Sequence, residues 1–191
     1  MIENSSSIGK TDLSSYCNDE YRQYLPNVLK RFAWYWVNIF IFQTSIFPSY
    51  PLKRYFLRLF GAKVGVGVVV KPSVNIKYPW NLVIGNYSWI GEGVWIDSLG
   101  KIQIGEHVCV SQGVYLLTGN HDYTSSNFNL FIKPITLKDG CWIGAKAIVC
   151  PGVICDSHSV LSVGSVATKR LESYSIYQGN PAEFVKKRCI T

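Results

Sequence analysis

No two cysteines stand in CxxC spacing; the six present, at positions 17, 109, 141, 150, 155 and 189, are scattered. That pattern excludes a zinc ribbon and provides no disulfide framework, so the thiols are expected to stay reduced in a cytosolic protein. Histidine is equally sparse: His107, His121 and His158 are the only three, and they sit at unlike repeat positions. A three-histidine metal centre is excluded, and no metal site is expected. No phosphate-binding glycine loop, zinc spacing or dinucleotide fingerprint occurs. Acidic residues are few, 12 against 19 lysines and arginines, which leaves a net charge of +7. The basic residues concentrate near Lys30–Arg58 and Lys186–Arg188 without any nucleic-acid motif, so no nucleic-acid partner is expected. Such an excess suits anionic small molecules or an anionic membrane surface.

Long hydrophobic runs are also missing. Between Phe32 and Leu52 there is no charge, but Asn38, Gln43, Thr44, Ser45, Pro48 and Pro51 interrupt the apolar residues. A span of about 20 predominantly apolar residues, as a membrane requires, is not formed. The polar, Ser-rich start lacks the basic and apolar parts of a signal peptide. Residues 1–15 therefore read as a loose leader.

What recurs is an aliphatic residue at a fixed interval. The series runs Val64, Val70, Ile76, Ile84, Ile90, Ile96, Ile104, Val110, Leu116, then Leu137, Ile143, Val149, Cys155, Leu161 and Ala167. A small or aliphatic partner follows four positions later, as at Ser88, Val94, Cys141 and Ser159, and glycine often follows directly, as at Gly85 and Gly144. A six-residue period fits neither a helix nor an alternating strand. It fits a short strand plus a corner, three of which close one triangular coil, with glycine serving the corner. Coils stack about 4.8 Å apart through parallel strand pairing. The expected fold is mostly β: a left-handed parallel β-helix of about five coils over residues 61–170.

Three spacings break the period: Ile76 to Ile84, Ile96 to Ile104, and the excursion 117–136. Each leaves from the third unit of a coil, so the insertions stack along one corner of the prism. Loops gathered on one face of a repeat array commonly build its binding site. This corner carries Tyr78 and Trp80, then Asp97, then Asn120, His121 and Asp122. A loop histidine has no core to fill, and a neutral imidazole can take the proton of an attacking hydroxyl. The alternative is a surface histidine capping a turn with Asn120 and Asp122. For Asp97, bonding its own corner backbone is the structural alternative.

The array, the Gly119-Asn120-His121-Asp122 segment and the closing Gly179-Asn180-Pro181-Ala182 resemble the hexapeptide-repeat acyltransferases. Residues Leu57–Lys63 and Tyr78-Pro79-Trp80 resemble the colanic-acid-type branch, and the likeness covers about residues 50 to 188. It implies an acetyl-CoA-dependent sugar O-acetyltransferase of bacterial surface polysaccharide synthesis, with His121 as general base. N-acyl transfer to an amino sugar and a non-catalytic β-helix scaffold at a membrane are the alternatives. Asp97 falls where galactoside-type relatives contact the acceptor, and either Asp97 or Asp122 would orient the imidazole, because the family's acid about ten positions after the histidine is absent. Tyr78, Trp80 and Asn120 would bind substrate. Trp142, Ala145, Val163, Thr168 and Lys186 match the family's cofactor positions, in a groove between the subunits of a homotrimer, and Lys169, Lys186 or Lys187 would pair the phosphates because Glu183 stands where some relatives carry arginine. Residues 171–191 would form a C-terminal cap and cofactor tail, in which Pro181 opens a short helix whose N-terminus favours phosphate.

Residues 16–60 differ in kind, being aromatic-rich and helical in pattern. Two alternatives stand for residues 32–47. Helices there cap the open end of the prism, or an aromatic surface rimmed by Lys30, Arg31, Lys53, Arg54 and Arg58 lies peripherally on the inner membrane, near a lipid-linked acceptor.

Overall fold

The computed structural model describes residues 9–22 and 25–191. Residues 1–8, the larger part of the expected loose leader, lie outside them. The remainder of that leader is docked: Asp12 N–H donates to Ser126 O at 2.8 Å, and Ser15 Oγ meets Asn127 Oδ1 at 3.1 Å.

Five coils follow one another, each with three short strands. The first holds β1 (Lys63–Val64), β2 (Val69–Val70) and β3 (Asn75–Ile76); the second β4 (Leu82–Ile84), β5 (Trp89–Ile90) and β6 (Trp95–Asp97). The third holds β7 (Ile102–Ile104), β8 (Cys109–Val110) and β9 (Tyr115–Leu117), after which β10 (Gly119–His121) and β11 (Leu130–Ile132) form an antiparallel hairpin outside the prism. The fourth holds β12 (Ile135–Leu137), β13 (Trp142–Ile143) and β14 (Ile148–Val149); the fifth β15 (Ile154–Cys155), β16 (Val160–Leu161) and β17 (Val166–Ala167). A partial sixth begins at the Cys155–Leu171 bridge and β18 (Ser175–Gly179).

Like strands pair in parallel, so the six-residue series lines up in register. Ile84 faces Ile104, Ile104 faces Leu137 and Leu137 faces Cys155 on the first face. Val70, Ile90, Val110, Ile143 and Leu161 do the same on the second, and Ile76, Ile96, Leu116, Val149 and Ala167 on the third. All but Val64 of the fifteen are buried. Each large aliphatic so buried contributes roughly 1.5–3 kcal/mol relative to exposure.

The glycines divide into two roles where one was expected. Gly85 and Gly144, directly after the aliphatic, sit against the backbone of the next coil, where an added Cβ would lie 2.5 Å and 2.6 Å from the nearest atom. Close approach, not unusual dihedrals, selects them. The left-handed backbone falls two residues later in the corner, at Gly93 (φ +66°) and also at Tyr87 (φ +55°) and His107 (φ +54°).

Three helices precede the array: α1 (Asp19–Arg22), α2 (Val28–Val37), which a π-type turn prolongs through Asn38–Phe42, and α3 (Tyr50–Leu59). Asn27 caps α2 by accepting from Lys30 N–H at 2.8 Å. The first coil exposes a row of unpaired carbonyls, and these helices satisfy it. Trp34 Nε1 donates to Ile76 O, Lys53 Nζ to Lys71 O, Arg54 to Val68 O, and Arg58 to Val64 O and Gly65 O. Lys53 is fully buried, and burial lowers its pKa. Three of the five cations expected to rim a membrane surface are therefore engaged with the β-helix. The outer side of α2 leaves Leu29, Phe32, Trp36 and Phe40 exposed. No helix among the described residues is long and apolar enough to cross a membrane.

The expected C-terminal helix is absent. Residues 182–187 form β19 (Ala182–Lys187), antiparallel to β18 through a two-residue turn at Asn180–Pro181, with Gly179 at φ +107°. β18 adds in parallel to β16 and β19 pairs with β18, and the aromatic and β-branched Phe184 and Val185 favour this strand over a helical turn. The phosphate-binding helix terminus proposed for this tail does not exist.

Candidate active site

The three insertions share one corner, between the third and first faces. His121 ends β10 there, its ring parallel to that of Phe128 with centroids 4.4 Å apart and 7° between planes. Its Nδ1 lies 2.8 Å from Phe128 O. A carbonyl only accepts, so Nδ1 carries the proton and Nε2 keeps a free lone pair. Its backbone N–H donates to Asn120 Oδ1 at 2.8 Å.

The imidazole borders a cavity of about 670 Å³, lined also by Tyr16, Tyr21, Arg31, Lys77, Tyr78 and Leu99. Tyr78 stacks on Trp80 at 4.8 Å, and Trp80 lines an adjoining cavity of about 360 Å³ with Tyr21, Asn81, Leu99 and Leu130. Lys30 Nζ stands 5.3 Å over the Trp80 ring. Tyr78 and Trp80 are thus brought to the histidine's side of the corner.

The two acidic candidates are occupied elsewhere. Asp97 is buried and pairs with Lys77 Nζ at 3.2 Å, while its backbone carbonyl accepts from Thr118. Asp122 folds over its own turn, accepting from Thr124 Oγ1 at 2.6 Å and Thr124 N–H at 2.9 Å. Those bonds hold its carboxyl below its ordinary value. Neither carboxylate bonds to His121; the Phe128 carbonyl orients it. Asn120 is exposed, and its side-chain oxygen is engaged by the His121 N–H, so it does not line the cavity.

A second groove of about 550 Å³ runs along a different corner, between the second and third faces. Trp142, Ala145 and Val163 line it with Gln112, Ser162 and Gln178, and Trp142 Nε1 donates to Ser111 Oγ at 3.0 Å. Thr168 and Lys169 lie beyond β17 at the insertion corner, and Lys186 on the outer strand β19; none of these three lines the groove.

Tyr16, Tyr21 and Phe128 were not singled out in the sequence, and Arg31 was read only as part of a membrane rim. Tyr16, Tyr21 and Arg31 arrive from the helical segment, by a return across the array that no local pattern encodes. Phe128 acts through a carbonyl, which every residue has.

No family model matches the chain. It is 39% identical to an Escherichia coli K12 protein named for acetyl transfer in colanic acid biosynthesis, over 86% of this chain and 91% of that one. It is 29% identical to the galactoside O-acetyltransferase of the same organism, over 66% of this chain and 64% of the relative. A Vibrio cholerae hexapeptide-repeat acetyltransferase solved with acetyl coenzyme A superposes with a TM-score of 0.77 at 21% identity, covering 85% of this chain and 88% of that one.

Proposed function

The chain belongs to the hexapeptide-repeat acetyltransferases, and from that premise we propose that it moves the acetyl group of acetyl-CoA to a sugar hydroxyl in bacterial surface polysaccharide synthesis. The observation that carries this reading is the Nδ1 bond of His121 to Phe128 O, which leaves Nε2 basic beside an open, aromatic-lined cavity. Nε2 takes the hydroxyl proton as that oxygen attacks the thioester carbonyl. The tetrahedral adduct collapses with loss of the CoA thiolate, which the imidazolium reprotonates, giving the acetyl ester and free CoA.

Trp142, Ala145 and Val163 are proposed to hold the pantetheine arm, with Lys169 and Lys186 outside the groove available to the phosphates. Tyr78 and Trp80 present faces to the sugar, as stacked aromatics suit a ring's apolar side. Asp97, held by Lys77, is proposed to accept from a sugar hydroxyl.

The groove and His121 stand at different corners of the same prism, so one chain does not bring thioester and base together by this pairing. A ring of three copies would set the groove of one subunit beside the histidine of the next, and heterologous contacts of this kind must close or polymerise. A homotrimer is therefore part of the proposal. A cytoplasmic location, on the side of the acetyl-CoA pool, goes with it. The exposed stripe Leu29, Phe32, Trp36 and Phe40 favours peripheral contact with the inner membrane as a second element.

Release of CoA thiol from acetyl-CoA, followed over a panel of sugars, tests the reading. His121→Ala is expected to lower kcat by about two to four decades, the order for losing a general base. Turnover near that of the unaltered protein would remove His121 from the role.

A further inference from the structure

The 670 Å³ cavity holds polar atoms that the fold leaves without partners. Tyr21 Oη and Arg31 Nε are both shielded from solvent and neither makes a hydrogen bond. The Tyr21 hydroxyl faces Tyr78 but lies outside hydrogen-bonding geometry. Burial first, and then Tyr78, push its pKa far above the ordinary phenol value, with Arg31 acting in the opposite direction. Tyr21 therefore stays a neutral donor.

Asp97 is matched in charge by Lys77 at 3.2 Å, although its shielded Oδ1 makes no hydrogen bond. Arg31 has no ion pair among the described residues, yet it lines this cavity and a neighbouring one of about 400 Å³. A shielded donor left unpaired costs about 1–3 kcal/mol, more when it is charged. A fork of guanidinium N–H groups matches the oxygens of a carboxylate or phosphate.

Resting on the acetyl-transfer reading of this site, we infer that the sugar it accepts carries an anionic group, a carboxylate or a phosphate, seated against Arg31 and Tyr21. Arg31 and Tyr21 would then set acceptor specificity, while the hydroxyl to be acetylated faces His121.

Calorimetric titration of the whole protein, with CoA present in excess so that its own site is filled, decides this. The probes are glucose, glucuronate and glucose 1-phosphate, which differ in bearing no anion, a ring carboxylate or an anomeric phosphate. At least one anionic sugar is expected to bind about ten- to a hundredfold more tightly than glucose, the range for a charged hydrogen bond. Which one does so separates the carboxylate from the phosphate source. Arg31→Gln should erase the preference, and Arg31→Lys, which keeps the charge but not the fork, should retain part of it. No preference for either anion, or a preference unchanged in Arg31→Gln, overturns the inference. If Arg31→Gln does not fold, a preference in Arg31→Lys as large as in the unaltered protein overturns it in the same way. Thiol release with the same three sugars keeps the two readings apart. Acetylation of glucose as fast as of the charged sugars sinks the inference alone. Anion-selective binding without acetylation of any sugar sinks acetyl transfer alone.

Discussion

Phe128 holds His121 twice, with its ring against the imidazole face and its carbonyl against Nδ1. The backbone of Phe128 is left-handed, at φ +50°, which turns that carbonyl toward the histidine. Phe128→Ala keeps the carbonyl and loses the stack. A stacked pair contributes about 0.5–1.5 kcal/mol beyond burial, so kcat should fall roughly three- to tenfold. A matching fall in melting temperature with kcat unchanged would show the ring to be packing alone.

Separation of His121 from the Trp142–Ala145–Val163 groove makes a complementation test available. Chains bearing His121→Ala and chains bearing Ala145→Trp should each be inactive. Refolded together at equal amounts, about a quarter of the sites should regain both parts by random pairing in a ring. Mixed protein with no activity above either parent would reject the intersubunit site.

The two tryptophans of α2 should separate cleanly. Trp34 is 2% exposed and bonded to Ile76 O, so Trp34→Ala is expected to cost about 3–5 kcal/mol. Trp36 is exposed and its ring meets only the rings of its own helix, Phe32, Tyr35 and Phe40, so Trp36→Ala should change stability by about 0.5 kcal/mol or less. Sedimentation with anionic vesicles should weaken in Trp36→Ala and with added salt. Vesicle binding that is equal in both proteins would exclude this stripe as the contact.

Asp156 gives the array an acid limit. Arg170 and Lys138 reach it at 2.6 Å and 2.8 Å, and the Arg170 bonds chiefly hold its carboxyl below the ordinary value. A depressed carboxylate contributes stability that is complete above the unfolded pKa of about 4 and is lost as pH falls through the folded value. The melting temperature should therefore drop more steeply below pH 4 in the native chain than in Asp156→Asn. Parallel curves for the two proteins would contradict this.

The coils were legible because Val, Ile and Leu at six-residue spacing have one geometric solution, and their register followed from the same count. The corner of the insertions was legible too, since Ile76, Ile96 and Leu116 occupy equivalent units. Pro181 misled: its fixed φ suits a helix start, but strand partners on β16 and β18 decided the tail. Lys53, Arg54 and Arg58 read as a charged rim because sequence does not reveal which carbonyls lack donors. Tyr21 and Arg31 were invisible as site residues for a similar reason, since their position depends on how α1 and α2 cross the coils. An orienting acid was sought for His121 because only side chains can be read from a sequence, whereas the partner is a main-chain oxygen.

The hairpin β10–β11 draws its ladder bonds from itself alone, antiparallel beside the parallel coils. Lengthening, shortening or exchanging it therefore leaves the stacking of the coils intact. His121, the proposed base, travels with that hairpin, while the Trp142 groove is woven into the coils. On the proposed roles, proton abstraction and thioester handling are thus inherited on separate parts of one chain, and a lineage can revise the first without relearning the second.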